Sequence, residues 1–202
     1  MDETALINEA QRGDLDAFNT LVLHYQDTLF NTARRILGDD ELAADATQDA
    51  FISAFRSLRT FRGGSFKAWL MRTVTNAAYD ELRRRKRRPT TALEPDGEDP
   101  EAIDEPRWLA DPTLSPEETT EAHELEHAME HCLEGLPFEY RAVVVMADVE
   151  GLDYAEVAAA VHVPLGTVKS RLARARLRLR DCLQGFEELL PAMFRLHHEP
   201  TS

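Results

Sequence analysis

Apolar residues recur at helical spacing along most of the chain. Phe18, Leu21, Val22, Tyr25, Leu29, Ala33, Ile36 and Leu37 fall on one face of a long helix. Gly38 is placed to end it, and Asp39 or Asp40 to cap the next. That helix sets Leu42, Ala46, Ala50, Phe51, Ala54, Phe55 and Leu58 on one side and Asp45, Gln48 and Asp49 on the other. Gly63-Gly64 then breaks the pattern. Ser65 opens a third helix with Phe66, Trp69, Leu70, Val74, Ala77 and Leu82 inward, which runs into six consecutive cations, Arg83 to Arg88. Strand-like alternation is absent from this half. Long amphipathic helices with short connections predict a bundle.

A second helical set follows. Ser115-Pro116 reads as a helix start, and the pattern predicts helices at about 116–134 and 137–148. Asp153 and Glu156 have the spacing of a capping box, opening a short helix. Pro164 disfavours helical geometry at Val163, so that helix stops and a longer one begins near Leu165–Thr167. Short helix, tight turn and longer helix make the helix-turn-helix unit that puts its second member in a DNA major groove. On a helical projection Val168, Leu172, Ala175 and Leu179 form a buried stripe. Thr167, Ser170, Arg171, Arg174 and Arg178 fall on one flank, suited to base edges, and Lys169, Arg176 and Arg180 on the other, suited to phosphates.

Charge divides the chain further. The formal net charge is −14, yet residues 1–88 are close to neutral, and 165–180 hold six bases and no acid. Residues 89–106 carry seven acids and no base. Such Pro-containing, like-charged chain stays extended and predicts a linker over 89–115. The expected organisation is all-α with two small domains: 1–88, the linker 89–115, a helix-turn-helix domain 116–183, and a tail 184–202. Phe186, Leu189, Leu190, Met193 and Phe194 give the tail an apolar turn, for contact with a regulator or for packing on the last domain. Local cationic patches in an acidic surround can grip phosphates without coating nucleic acid indiscriminately. Cys132 and Cys182 predict no disulfide framework. No signal peptide or membrane-spanning run is evident, so a soluble cytoplasmic protein without membrane insertion is expected.

Four stretches carry a resemblance: GDLDAF (13–18), DATQDAF (45–51), FRGGSFKAWLMRTVTNAAYDELRRRKRR (61–88) and LPFEYRAVVVMADVEGLDYAEVAAAVHVPLGTVKSRLARARLRLR (136–180). In this order and separation they resemble the bacterial RNA polymerase sigma factors of the extracytoplasmic-function (ECF) group. The resemblance implies a non-enzymatic subunit that joins core RNA polymerase, through the β′ clamp and the β subunit, and directs initiation at promoters with −35 and −10 elements. It implies polymerase contact by Asp45, Gln48 and Asp49. It places Phe61, Arg62, Ser65, Lys67, Arg72, Asn76, Arg83, Arg84, Arg87 and Arg88 at the −10 element, and Thr167, Lys169, Ser170, Arg171 and Arg174 at the −35 element. An anti-sigma factor is an implied partner; no cofactor or metal is expected. The 27 linker residues can reach about 90 Å, beyond the roughly 58 Å of a spacer of about 17 base pairs.

Two other readings are open to the residues. His123, Glu124 and His127 fit the H-E-x-x-H zinc-hydrolase pattern. However, His123 and His131 lie about 12 Å apart along a helix and cannot share one metal. A stand-alone helix-turn-helix regulator would use 136–180 alike but leaves the first bundle without employment.

Overall fold

Short acidic side chains start half of the α-helices among the described residues. In the computed structural model, which describes residues 1–87 and 116–189, with side chains for 1–84 and 123–189, Asp2 accepts a hydrogen bond from Ala5 N (3.0 Å) to open α1, Glu3–Gln11. Asp14 accepts from Asp16 N and Ala17 N at the head of α2, Leu15–Leu37. Asp39 accepts from Leu42 N (3.0 Å) at the head of α3, Asp40–Ser57. Each cap satisfies backbone donors that the first helical turn leaves unpaired. Gly38, left-handed at φ 71°, ends α2 where the sequence predicts a stop. After a single 3-10 turn, Leu58–Thr60, Ser65 accepts from Ala68 N (3.0 Å) and starts α4, Phe66–Arg87.

The second set comprises α5, Pro116–Glu134; α6, Phe138–Val144; α7, Tyr154–Val161; and α8, Leu165–Leu183. No strand occurs among the described residues. Asp153 and Glu156 form the full capping box at α7. Two features depart from the sequence expectation. The N-terminal helix α1, which periodicity leaves unmarked, packs Ile7 and Ala10 into the core. The helix predicted over 137–148 stops being α-helical at Val145 and continues as a π-helical segment, Val145–Val149. Residues 142 to 146 are buried without a break, a run that spans the end of α6 and the first two residues of the π segment, whose Asp148 and Val149 are exposed.

The bundles share one core. Leu29, Leu70 and Val74 of the first belong to the same buried cluster as Val143, Val145 and Met146 of the second. Full burial of each such side chain stabilises by about 1.5–3 kcal/mol. α4 lies against α7, and α2 against α5, α6 and the π segment. Across the junction the buried Thr75 hydroxyl donates to Met146 Sδ (3.4 Å), and Tyr79 meets Phe138 edge-on at 4.5 Å. Phe55, predicted inward, is 45% exposed; its ring leans on Phe18 from outside, 5.0 Å between centroids.

The cysteines correct a further expectation. Cys132 of α5 and Cys182 of α8 are disulfide-bonded, with Cα atoms 5.7 Å apart. Fifty residues separate them in sequence, and only the docking of α5 against the end of α8 makes them neighbours. The start of the predicted tail, Gln184–Leu189, turns back on α5 and α8. Phe186 there meets the His131 ring edge-on at 5.9 Å. The predicted linker and residues 190–202 lie outside the described residues.

Candidate nucleic-acid interface

α8 presents a cationic face because its apolar stripe is spent on the core. Val168, Leu172 and Ala175 are buried. Thr167 and Arg171 are half-buried at the rim, while Lys169, Ser170 and Arg174 are exposed. Ser170 Oγ donates back to Thr167 O (3.0 Å). Arg174 Nη1 reaches Tyr140 Oη at 3.4 Å, and Arg178 lies over the same ring, 5.3 Å from its centroid. The hydrogen bond from Arg174 holds the Tyr140 phenol below its ordinary pKa range. Arg176, assigned by projection to phosphates, instead donates to both Asp148 oxygens (2.9 and 2.6 Å) and to Tyr154 Oη (3.3 Å). Those hydrogen bonds, to Asp148 first, raise its pKa further.

The loop before α4 is held from a direction the sequence did not signal. Gln11 Nε2 donates to Leu58 O (3.0 Å) and Phe61 O (2.9 Å). α1 and the loop enclose a hollow of about 420 Å³, lined by Asn8, Gln11, Phe61, Arg62 and Gly64 among others. Gly63 and Gly64 adopt φ of +96° and +92° and have open space around them, so a ligand backbone can come close. Phe61 rests on Phe66 and Trp69, at 5.4 and 5.5 Å between centroids. Phe66 is fully buried, whereas Arg62 and Ser65 are exposed.

Along α4, Arg72 and Asn76 line a second hollow of about 400 Å³ together with Asp49, Asp80 and Arg84. Arg83 Nη1 pairs with Asp80 (3.2 Å). Arg84 pairs with Glu81 (2.7 Å) and, across to α3, with Asp49 (3.6 Å). A residue expected to face polymerase and one expected to face DNA thus meet. Asp45, Gln48 and Asp49 share an exposed face, continued by Ile52, 41% exposed. Arg87 closes α4 with no side chain described, and Arg88 lies outside the described residues.

The two cationic surfaces converge on a cleft of about 610 Å³ between the bundles. Asn76, Tyr79 and Arg83 line one wall; Arg171, His162 and Glu139 line the other. Burial raises the Tyr79 phenol's pKa, against the charge and hydrogen bond of Arg171. Lys67 is engaged elsewhere in the same junction: its Nζ contacts Glu150 Oε2 (3.1 Å) and donates to Glu150 O (2.8 Å). Of the H-E-x-x-H residues, Glu124 and His127 are exposed and His123 half-buried. No group of three or more metal-ligating side chains occurs among the described residues, and nearby Cys132 is bound to Cys182.

Residues 21–88 match the family description Sigma-70 region 2, and residues 126–179 match Sigma-70 region 4. The RNA polymerase sigma-H factor of Pseudomonas aeruginosa is 37% identical over 180 residues, covering 89% of this chain and 92% of that protein. The ECF RNA polymerase sigma-E factor of Escherichia coli is 34% identical over 189 residues, 91% and 95% of the two chains.

The chain belongs to the ECF sigma factors.

As a sigma factor it works with core RNA polymerase and promoter DNA in promoter-specific initiation; the regulator and hydrolase readings are not favoured. The fold of this sigma factor matches that of CnrH, solved in complex with the cytosolic domain of CnrY, with a TM-score of 0.61 and 25% identity over 90% of this chain and 96% of that one. It also matches RpoE of Bartonella quintana, solved with the anti-sigma factor NepR: TM-score 0.61, 23% identity, 84% and 98% coverage. No helix of the described residues is long and apolar enough to cross a membrane.

Proposed function

We propose that residues 1–88 read the −10 element and 116–183 the −35 element, joined through 89–115, and that the described arrangement is a closed form that opens to do so. The carrying observation is the shared cleft. Arg171, a −35 candidate, faces Asn76 and Arg83, −10 candidates, across one hollow. Promoter elements roughly 58 Å apart along a duplex cannot both be served by surfaces that face each other in this way. Opening separates the surfaces and releases Lys67 from Glu150.

In the open form the first turns of α8 enter the major groove, with Arg171 and Arg174 on base edges and Lys169 on phosphate. Arg72, Asn76, Arg83 and Arg84 follow the −10 strand, and the hollow beside Gln11 accepts an unstacked base, offsetting an extrusion cost of a few kcal/mol. Asp45, Gln48 and Asp49, with Ile52, dock on the polymerase β′ clamp, and the −35 domain meets the β subunit. The protein makes no covalent bond itself and acts in the cytoplasm beside polymerase. The structure of the sigma factor RpoE in complex with the anti-sigma factor NepR supports an anti-sigma factor as a further partner.

The test is run-off transcription with core polymerase. Arg171→Glu with Arg174→Glu should lower initiation at least tenfold on a promoter that needs its −35 element. The same variant should bind a forked −10 template with polymerase as wild type does. Equal initiation by variant and wild type would refute the −35 assignment.

A further inference from the structure

The disulfide is the part of the structure that promoter reading leaves unused. Cys132 is buried, 2% exposed, in the last turns of α5. Cys182 is half-buried at the end of α8. A transcription factor meets its polymerase in a reducing compartment, where a standing structural disulfide is not maintained and paired cysteines serve transient or sensing roles. The bond therefore marks one of two states.

Its position shows which surface it governs. Arg174, the last −35 candidate on α8, precedes Cys182 by eight residues, about 12 Å along the axis. The bond therefore does not reach the base-facing turns. On the α5 side the connection is immediate. Glu130, two residues before Cys132, is ion-paired with Arg34 near the end of α2. Leu133 and Glu134, the next two residues, line a hollow with Arg34, Gly38 and Asp39. A covalent tie to α8 fixes α5 as the shelf on which the end of α2 rests.

We propose that Cys132 and Cys182 form a reversible dithiol–disulfide switch, the oxidised state holding the −35 domain closed on the −10 domain and the reduced state favouring opening. The proposal rests on the sigma-factor reading for its consequence, though not for its chemistry. A thiolate of a small dithiol attacks Cys182 Sγ, the more accessible sulfur; the S–S bond breaks and Cys132 leaves as a thiolate that takes a proton. The second thiol of the dithiol then attacks the mixed disulfide, closing a cyclic disulfide and expelling Cys182, which takes the second proton. The protein gains two electrons and two protons, and the dithiol becomes the disulfide. The reverse exchange with a small disulfide re-forms the bond.

The full chain is equilibrated in reduced or oxidised dithiothreitol, its free thiols are counted, and amide hydrogen exchange is followed. The expected counts are two thiols in the reduced form and none in the oxidised form. Reduction should speed exchange at least tenfold in residues 123–134 and at the end of α2, leaving the middle of α3 unchanged. Cys182→Ser should behave as the reduced form in either buffer. Arg34→Ala, which cuts the α2–α5 pair and leaves both cysteines, should speed exchange at the end of α2 while the oxidised bond persists. Two free thiols in the oxidising buffer would overturn the proposal, as would identical exchange in the two states. Core polymerase is then titrated against both forms, and the reduced one should bind at least threefold more tightly. Absence of promoter-dependent initiation in both states would strike the sigma-factor reading alone, because thiol counts and exchange need no promoter.

Discussion

Gly38 shows how one residue joins the two bundles. It ends α2 in the left-handed region, and a Cβ there would lie 3.2 Å from Arg141 Nη1 and 3.4 Å from Glu134 Cγ. Arg141 has little room to retreat: its Nη2 donates to Glu134 O (2.7 Å) and Leu136 O (3.2 Å), and burial lowers its guanidinium pKa. Gly38→Ala should therefore cost about 1–2 kcal/mol, from the positive φ and the close approach, read as a lower urea midpoint at unchanged slope. Under the proposed function Gln11 acts by positioning the loop before α4, to which it donates twice. Removing its two hydrogen bonds to the loop, each worth about 0.5–1.5 kcal/mol, should lower strand opening roughly tenfold in Gln11→Ala. Permanganate footprinting checks this, and a matching loss of duplex −35 binding would count against it.

At the scale of elements, local rules carried most of the fold. Gly38, Ser65 and the Asp153 capping box act through neighbours in sequence, so their roles were legible before any tertiary contact was known. Asp153→Ala should destabilise by about 1 kcal/mol. It should act on α7 first, since eight residues are too few for a helix to stand alone. Thermal unfolding followed by circular dichroism measures the loss. What periodicity missed depends on partners. α1 has a weak apolar face and owes its place to the pocket its neighbours offer Ile7 and Ala10. The π segment follows a run, 142–146, that is buried at every position, which a row of valines cannot by itself distinguish from a half-buried helix. Phe55 keeps the spacing of Phe51 and so predicts a buried position, yet it lies at the rim of that face, 45% exposed. The site divides likewise. The composition of the α8 face was visible in the sequence, but the pairing of Arg176 with Asp148, Arg84 with Asp49 and Lys67 with Glu150 requires knowing which helices meet.

For the whole molecule, Glu150 is the polar centre of the junction. Its side chain, 8% exposed, contacts Lys67 and accepts from Thr32 Oγ1 (3.0 Å). Removing Lys67 strands the Glu150 carboxylate in a largely dry site, while removing Glu150 takes a partner from a Lys67 side chain that is 37% exposed. Glu150→Ala and Lys67→Ala should each weaken the closed form. A double-mutant cycle should return a coupling of about 1–3 kcal/mol, measured by urea unfolding with small-angle scattering as a check on opening. Coupling near zero would place the hold of the junction in its apolar contacts alone.

The apolar contact of α4 with α7 has a consequence for chain continuity. Because the two halves bury side chains in a common interior, the peptide between them is not what keeps them together. Protease nicking within 88–115 should yield two fragments that elute as one species from a sizing column, and halves expressed from separate genes should find each other in the cell.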